Sequence, residues 1–278
     1  MRTIYITILL LATQLTPIRT KAQILLETPN VESKLYEGIG ENKGLIVGLG
    51  GSEGGNAWSS NQWKETRDSF LNKGYAFLAL GYFGAPGTPK VLDKIALEAV
   101  YFAIQKAKIH PKIQAKKVAI VGGSRGADLA LLLGSYYEDI NAIVALAPSH
   151  AVFPGHTQTF DSSCWTFAAK ELPYIPVNDA AVPFLIKGDL RGTFAAMMTD
   201  TIAEKKALIQ IEKINGPILL VSAKADEIIP AVAMGKKLTD RLKEHSFKHP
   251  FEHLIVEGSH SASMQQFERV QAFLEKHF

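Results

Sequence analysis

The sequence predicts an α/β protein built on a doubly wound, mostly parallel sheet. Three observations carry this. From about residue 44, short continuous apolar runs alternate with longer amphipathic ones. Unbroken apolarity is what a strand covered on both faces needs. The intervening segments are long enough for helices, so successive strands join by right-handed crossovers and lie parallel. Finally, 278 residues with 47% hydrophobic and 21% charged side chains suit one domain with a sizeable core.

The elements follow in order. GLIVGLG (44–50) reads as a buried strand, Trp58 to Lys73 as a helix and YAFLALGYF (75–83) as the next strand. A helix is expected over Leu92 to Ala107, a strand at KKVAIVG (116–122), a helix over Arg125 to Tyr137 and a strand at NAIVALAP (141–148). GPILLVSA (216–223) is a fifth strand, followed by a helix over about 231–244. HLIVEG (253–258) is a sixth, and a last helix reaches the C-terminus.

One interval, Ser149 to Gly216, has no clear strand. It holds Phe153, Phe160, Trp165, Phe167, Tyr174, Phe184 and Phe194, with prolines at 154, 173, 176 and 183. A structureless loop of that length is rare in a compact domain. The segment is therefore expected to form an aromatic-rich excursion or cap, about 150–213, over the C-terminal edge of the sheet.

The first 22 residues differ from the rest. Arg2 precedes an apolar run from Ile4 to Ala12, and Ala22 closes the stretch before Gln23. The run is too short to span a bilayer and has the pattern of a cleavable signal peptide, which implies a secreted or periplasmic protein. Arg2, Arg19 and Lys21 are its only charges, so its removal takes the formal net charge from +3 to 0. Nothing in that balance argues for nucleic-acid binding. The single cysteine, Cys164, excludes an intrachain disulfide, and no thiolate-stabilising partner stands near it in sequence.

The chemistry centres on Gly122-Gly123-Ser124-Arg125-Gly126, a G-x-S-x-G between the VAIV strand and the ADLALLLG helix. A serine on such a strand-to-helix turn projects above the sheet, at a helix N-terminus that favours developing negative charge. A serine nucleophile needs a base, and the base needs an orienting acid. This fold sets the chain order as Ser, acid, His, each after a later strand. Asp226 follows the fifth strand, with Glu227 as the competing acid, and His260 follows the sixth. Arg125 N–H is the expected first oxyanion donor. The second is expected from the loop GLGGSEGG (48–55), at Gly51, with Ser52 as the rival.

Other readings fit less well. GLGGSEGG lacks the third glycine of a G-x-G-x-x-G loop, because Glu53 stands there, and no Lys-Ser or Lys-Thr follows it. A metal site on His245, His249 and His253 would need a helix running through to Pro250. His110, His156 and His277 read as surface residues. No metal or cofactor is expected.

The order and content of these segments resemble the α/β-hydrolases over about residues 40–278. More narrowly, they resemble the C-terminal catalytic domain shared by acyl-CoA thioesterases and bile acid-CoA:amino acid N-acyltransferases. Dienelactone hydrolases are more distant relatives. The similar stretches are GLGGSEGG, GYAFLALGYFG, VGGSRGADLALLLGS, VALAPSHAVF and SSCWTFAAKELPYIP. In the acidic loop, SAKADEIIP, only the second of the family's paired Asp positions is filled, by Asp226. The resemblance implies one hydrolase domain over 23–278, with Ser124 as nucleophile, Asp226 as acid and His260 as base. The implied substrate is a small-molecule acyl thioester or carboxylic ester. His150, Trp165 and Phe153 are candidate pocket residues. A serine ester is cleared by water more readily than by amines, so hydrolysis is expected over acyl transfer. The alternatives are an acyltransferase on the same triad and a non-catalytic binding protein.

Overall fold

The computed structural model describes residues 23–278. The signal-peptide expectation for residues 1–22 lies outside them. The chain opens with β1 (Gln23–Leu26) and β2 (Glu32–Tyr36), then β3 (Gly44–Leu49), α1 (Lys64–Asn72) and β4 (Tyr75–Gly81). β5 (Ile95–Ala96), α2 (Leu97–Lys108), β6 (Val118–Gly123), α3 (Arg125–Tyr136) and β7 (Ala142–Leu146) follow. The excursion holds β8 (Trp165–Phe167), β9 (Lys170–Glu171), α4 (Val182–Ile186), α5 (Leu190–Met197) and α6 (Thr201–Ala207). The chain closes with β10 (Ile218–Ala223), α7 (Ala231–Glu244), β11 (Phe251–Val256), α8 (His260–Ser263) and α9 (Phe267–His277).

Eight strands form the main sheet in the order β1-β2-β4-β3-β6-β7-β10-β11. Every pair from β4 to β11 is parallel, whereas β2 runs antiparallel to β4 and β1 antiparallel to β2. The unbroken apolar runs become strands buried on both faces. In β3, Leu45, Val47 and Leu49 face one layer and Ile46 the other. Helices α2, α3 and α7 cover the first layer, while Phe70 and Leu71 of α1 and Val270, Phe273 and Leu274 of α9 cover the second. The sheet is thus wound on both sides.

Four local expectations need correction. The helix expected from Trp58 starts at Lys64, because residues 57–59 form a single 3-10 turn in which Ser59 Oγ donates to the Asn56 carbonyl. Such side-chain-to-backbone bonds compete with helix. The helix expected from Leu92 starts at Leu97, because Ile95 and Ala96 pair with Trp165 and Thr166. The excursion does hold strands: β8 and β9 form a small separate sheet with β5. Strands of two or three residues have no readable period. Lastly, β1 and β2 extend the sheet ahead of the first expected strand.

The excursion packs as a cap. Phe153, Ile175, Ala181, Ala196, Met197 and Ala207 form a third apolar cluster with Ile229, Ala231 and Met234. This seats the cap on the loop after β10 and on the start of α7, beside the C-terminal ends of the parallel strands.

Candidate active site

Ser124 joins β6 to α3 with φ 52° and ψ −122°, a conformation few non-glycine residues adopt. Its neighbours permit it. A methyl group at Gly122 would run into the Gly126 carbonyl oxygen, and one at Gly126 into the Gly50 carbonyl oxygen. Ser124 N–H donates to Leu146 O at 2.8 Å, and Ser124 O accepts from Ala127 N–H at 2.8 Å. Neighbouring strand and helix thus both hold the turn. The Arg125 amide lies in the first turn of α3, where the helix offers it no acceptor.

Asp226 and His260 come from the loops after β10 and β11. Asp226 is fully buried. Its Oδ2 meets His260 Nδ1 at 2.7 Å, and its Oδ1 accepts the amides of Ile228 and Ile229, each at 2.9 Å. Burial works against the charge on Asp226. The His260 hydrogen bond and the two amides outweigh it and hold the carboxyl below its ordinary range. A charged carboxylate only accepts, so His260 Nδ1 donates to it, and in the neutral ring this leaves Nε2 as an acceptor. Glu227 plays a different part. Its Oε2 accepts the His260 backbone amide at 2.8 Å, at the start of α8.

Ser124, Arg125, Gly51, Ser52 and His260 all line one cavity of about 680 Å³. Its remaining wall is largely apolar, with Trp58 and Trp63 on the sheet side and Leu185, Leu190, Phe194 and Met197 from the cap. Arg191 of α5 fastens the cap to the acid's loop by donating from Nη1 to the Asp226 carbonyl at 2.6 Å. Beneath the elbow, Asp128 accepts Ser149 N–H at 2.7 Å and Arg125 Nη1 at 3.3 Å. Burial still pushes its carboxyl up to about 6.

The three residues offered as pocket wall do not line the cavity. His150 is buried, with Nε2 2.6 Å from Glu204 Oε1, and ties the cap helix α6 to the β7 loop. Trp165 is fully buried in β8 against Tyr82. Phe153 lies edge-on behind Phe194, and it is Phe194 that reaches the cavity. Aromatic content marked the cap but not which side of it each ring faces. His156 is solvent-exposed, as expected, but it also stands at the cavity, and loss of water and the Arg125 charge push its ring down to about 4. His253 donates from Nε2 to Ser222 Oγ at 2.9 Å, away from the cavity. Among the described residues, no three His, Cys, Asp or Glu side chains are placed to hold a metal ion.

Gly51 lines the cavity as expected, but its N–H is already engaged, donating to Glu53 Oε1 at 3.0 Å. The sequence gives no sign of this contact, because Glu53 stands out there only as a break in a glycine pattern.

Solved structures share this architecture. An esterase of Pyrococcus furiosus superposes with TM-score 0.64 at 15% identity, covering 92% of this chain and 93% of that one. A dienelactone hydrolase of Anabaena variabilis gives TM-score 0.56 at 13% identity, covering 93% and 98%. At such identities the likeness concerns the α/β-hydrolase fold. Among curated proteins, acyl-coenzyme A amino acid N-acyltransferase 1 of Mus musculus is 26% identical over 182 residues, 65% of this chain and 41% of that protein. Peroxisomal succinyl-coenzyme A thioesterase of Mus musculus is 25% identical over 179 residues, 64% and 40%. The chain thus spans about two fifths of the length of these relatives. The family model described as BAAT / Acyl-CoA thioester hydrolase C terminal matches residues 97–261, more than half of the chain and inclusive of Ser124, Asp226 and His260. The chain belongs to that family.

Proposed function

We propose that this chain is a serine hydrolase that cleaves acyl thioesters or carboxylic esters through Ser124, His260 and Asp226. The observation that carries the reading is the 2.7 Å Asp226–His260 hydrogen bond behind a cavity that His260 and Ser124 both line. Asp226 holds the His260 tautomer. His260 Nε2 takes the Ser124 hydroxyl proton as Oγ attacks the acyl carbon. The Arg125 and Gly51 amides receive the oxyanion. His260 then passes the proton to the departing thiolate or alkoxide, and water cleaves the acyl-enzyme. The apolar wall accommodates the acyl chain. The leader pattern of residues 1–22 adds export to this reading, which N-terminal sequencing of the mature protein checks.

The decisive test is Ser124→Ala against a panel of p-nitrophenyl esters and acyl-CoAs of graded length, with fluorophosphonate labelling. Turnover and labelling are both expected to vanish. Turnover that survives the substitution removes the reading, and an unreactive wild-type serine supports a binding protein instead.

A second reading, acyl transfer to an amine, has one specific support: relatives named as amino acid N-acyltransferases are among those matched. It predicts amide product when glycine or taurine competes with water, whereas hydrolysis predicts free acid alone.

A further inference from the structure

The Gly50–Gly51 peptide is pinned on one side. Tyr82 Oη donates to the Gly50 carbonyl at 2.6 Å, and Tyr82 is buried in the core. Carbonyl and N–H of one trans peptide point in opposite directions. Fixing the Gly50 oxygen therefore fixes where the Gly51 N–H aims. That donor belongs to the rigid part of the site.

Its occupant does not. Glu53 Oε1 accepts the Gly51 N–H at 3.0 Å, yet Glu53 is solvent-exposed. No cation is paired with its carboxylate among the described residues. A methyl group on Gly51 would stand 2.9 Å from Glu53 Oε2 and 3.0 Å from Ser124 Cβ, so carboxylate and serine flank the same α-carbon. Both line the cavity.

We infer that Glu53 is a displaceable internal occupant of the oxyanion site, which the substrate's acyl oxygen must evict before Ser124 can react. The inference rests on the serine-hydrolase reading above. One N–H cannot serve two anionic oxygens at full strength, and a carboxylate beside a developing oxyanion repels it. Eviction needs only a rotation of the exposed Glu53 side chain into water, because the Tyr82-anchored peptide stays in place. Glu53 therefore sets a threshold: acyl groups that bind the cavity well displace it, and poorly held ones do not. It is a specificity determinant rather than a participant in proton transfer.

The test compares wild type, E53A, E53Q and S124A. The readouts are kcat/KM on a p-nitrophenyl ester, Ki for an alkylboronic acid that forms a tetrahedral anion on Ser124, and binding of a neutral alkanol of equal chain length. E53A is expected to raise kcat/KM and tighten the boronate by more than about threefold each, while alkanol affinity stays unchanged. E53Q, which can still accept from Gly51 but carries no charge, falls between. A smaller gain, or a loss, with E53A overturns the inference; should E53A fail to fold, E53Q decides, a gain in both readouts supporting the inference and no gain overturning it. Turnover retained by S124A sinks the serine reading and this inference with it. Turnover lost with S124A but not improved by E53A sinks the inference alone.

Discussion

Asp226 and His260 meet at 2.7 Å although 34 residues separate them in the chain. The two side chains stand on loops that follow adjacent parallel strands, so the register of β10 against β11 sets their approach. Replacing the acid tests what the contact does. Asp226→Asn keeps the shape and an acceptor for Ile228 and Ile229, but offers an N–H to His260 Nδ1 and selects the wrong tautomer. The expected result is a fall in kcat of roughly 10⁴-fold with little change in KM, measured by steady-state kinetics.

The elbow stores strain that glycine relieves. Ser124 holds φ 52°, which costs of order 1–3 kcal/mol in a non-glycine residue. Ser124→Gly is expected to abolish turnover and yet raise Tm by about 2–4 °C, once the greater chain entropy of unfolded glycine is counted. Differential scanning calorimetry checks it; a lower Tm would show that the turn is unstrained.

Asp128 and Asp226 respond to pH with opposite signs. The buried Asp128 carboxyl is pushed up to about 6, so the fold binds its proton more tightly than the unfolded chain does. Its effect on stability is fully favourable below about pH 4 and is lost as pH rises through about 6, a swing of about 3 kcal/mol. Asp226, whose carboxyl is lowered, stabilises the fold above the ordinary carboxylate range and loses that contribution as pH falls through its folded value. Urea titrations from pH 4 to 8 are expected to show wild type losing stability relative to Asp128→Asn as pH rises.

Cys164 is inert. Burial pushes its thiol up to about 11, the Asp128 and Asp93 charges add to this, Arg125 opposes it, and Sγ donates to the Pro154 carbonyl at 3.0 Å. Cys164→Ala is expected to keep wild-type kcat. Iodoacetamide at pH 8 should label the protein only after denaturation, by mass spectrometry.

On the serine-hydrolase reading, the cap is expected to set acyl length. Leu185 lines the cavity from α4. Leu185→Trp is expected to lower kcat/KM for long acyl chains about tenfold or more, while acetyl and butyryl esters change less than about twofold. An equal loss at every length would place the acyl chain elsewhere.

Much of this was legible in the chain itself. The central strands announced themselves because burial on both faces demands continuous apolar runs, and β3, β4, β7 and β10 are buried throughout. Ser124 was legible because the elbow's glycines are local necessities. Asp226 and His260 were legible because the fold places them just after particular strands. β1 and β2 were not: they pair antiparallel at one end of the sheet, where burial is broken along each strand and the continuous apolar run disappears.

The sequence by itself determined the layer order, the elbow and the three residues expected to do the chemistry, because each depends on local pattern or chain order. Only the tertiary structure decided which aromatic rings face the cavity, since Phe153, in the loop after β7, and Phe194, on α5, look alike in a sequence, and it is their mutual packing that leaves Phe194 in front. It also decided that the Gly51 amide already has an acceptor. That contact depends on Tyr82 holding the Gly50 peptide from 32 residues away, and on a carboxylate rotamer that no local pattern specifies.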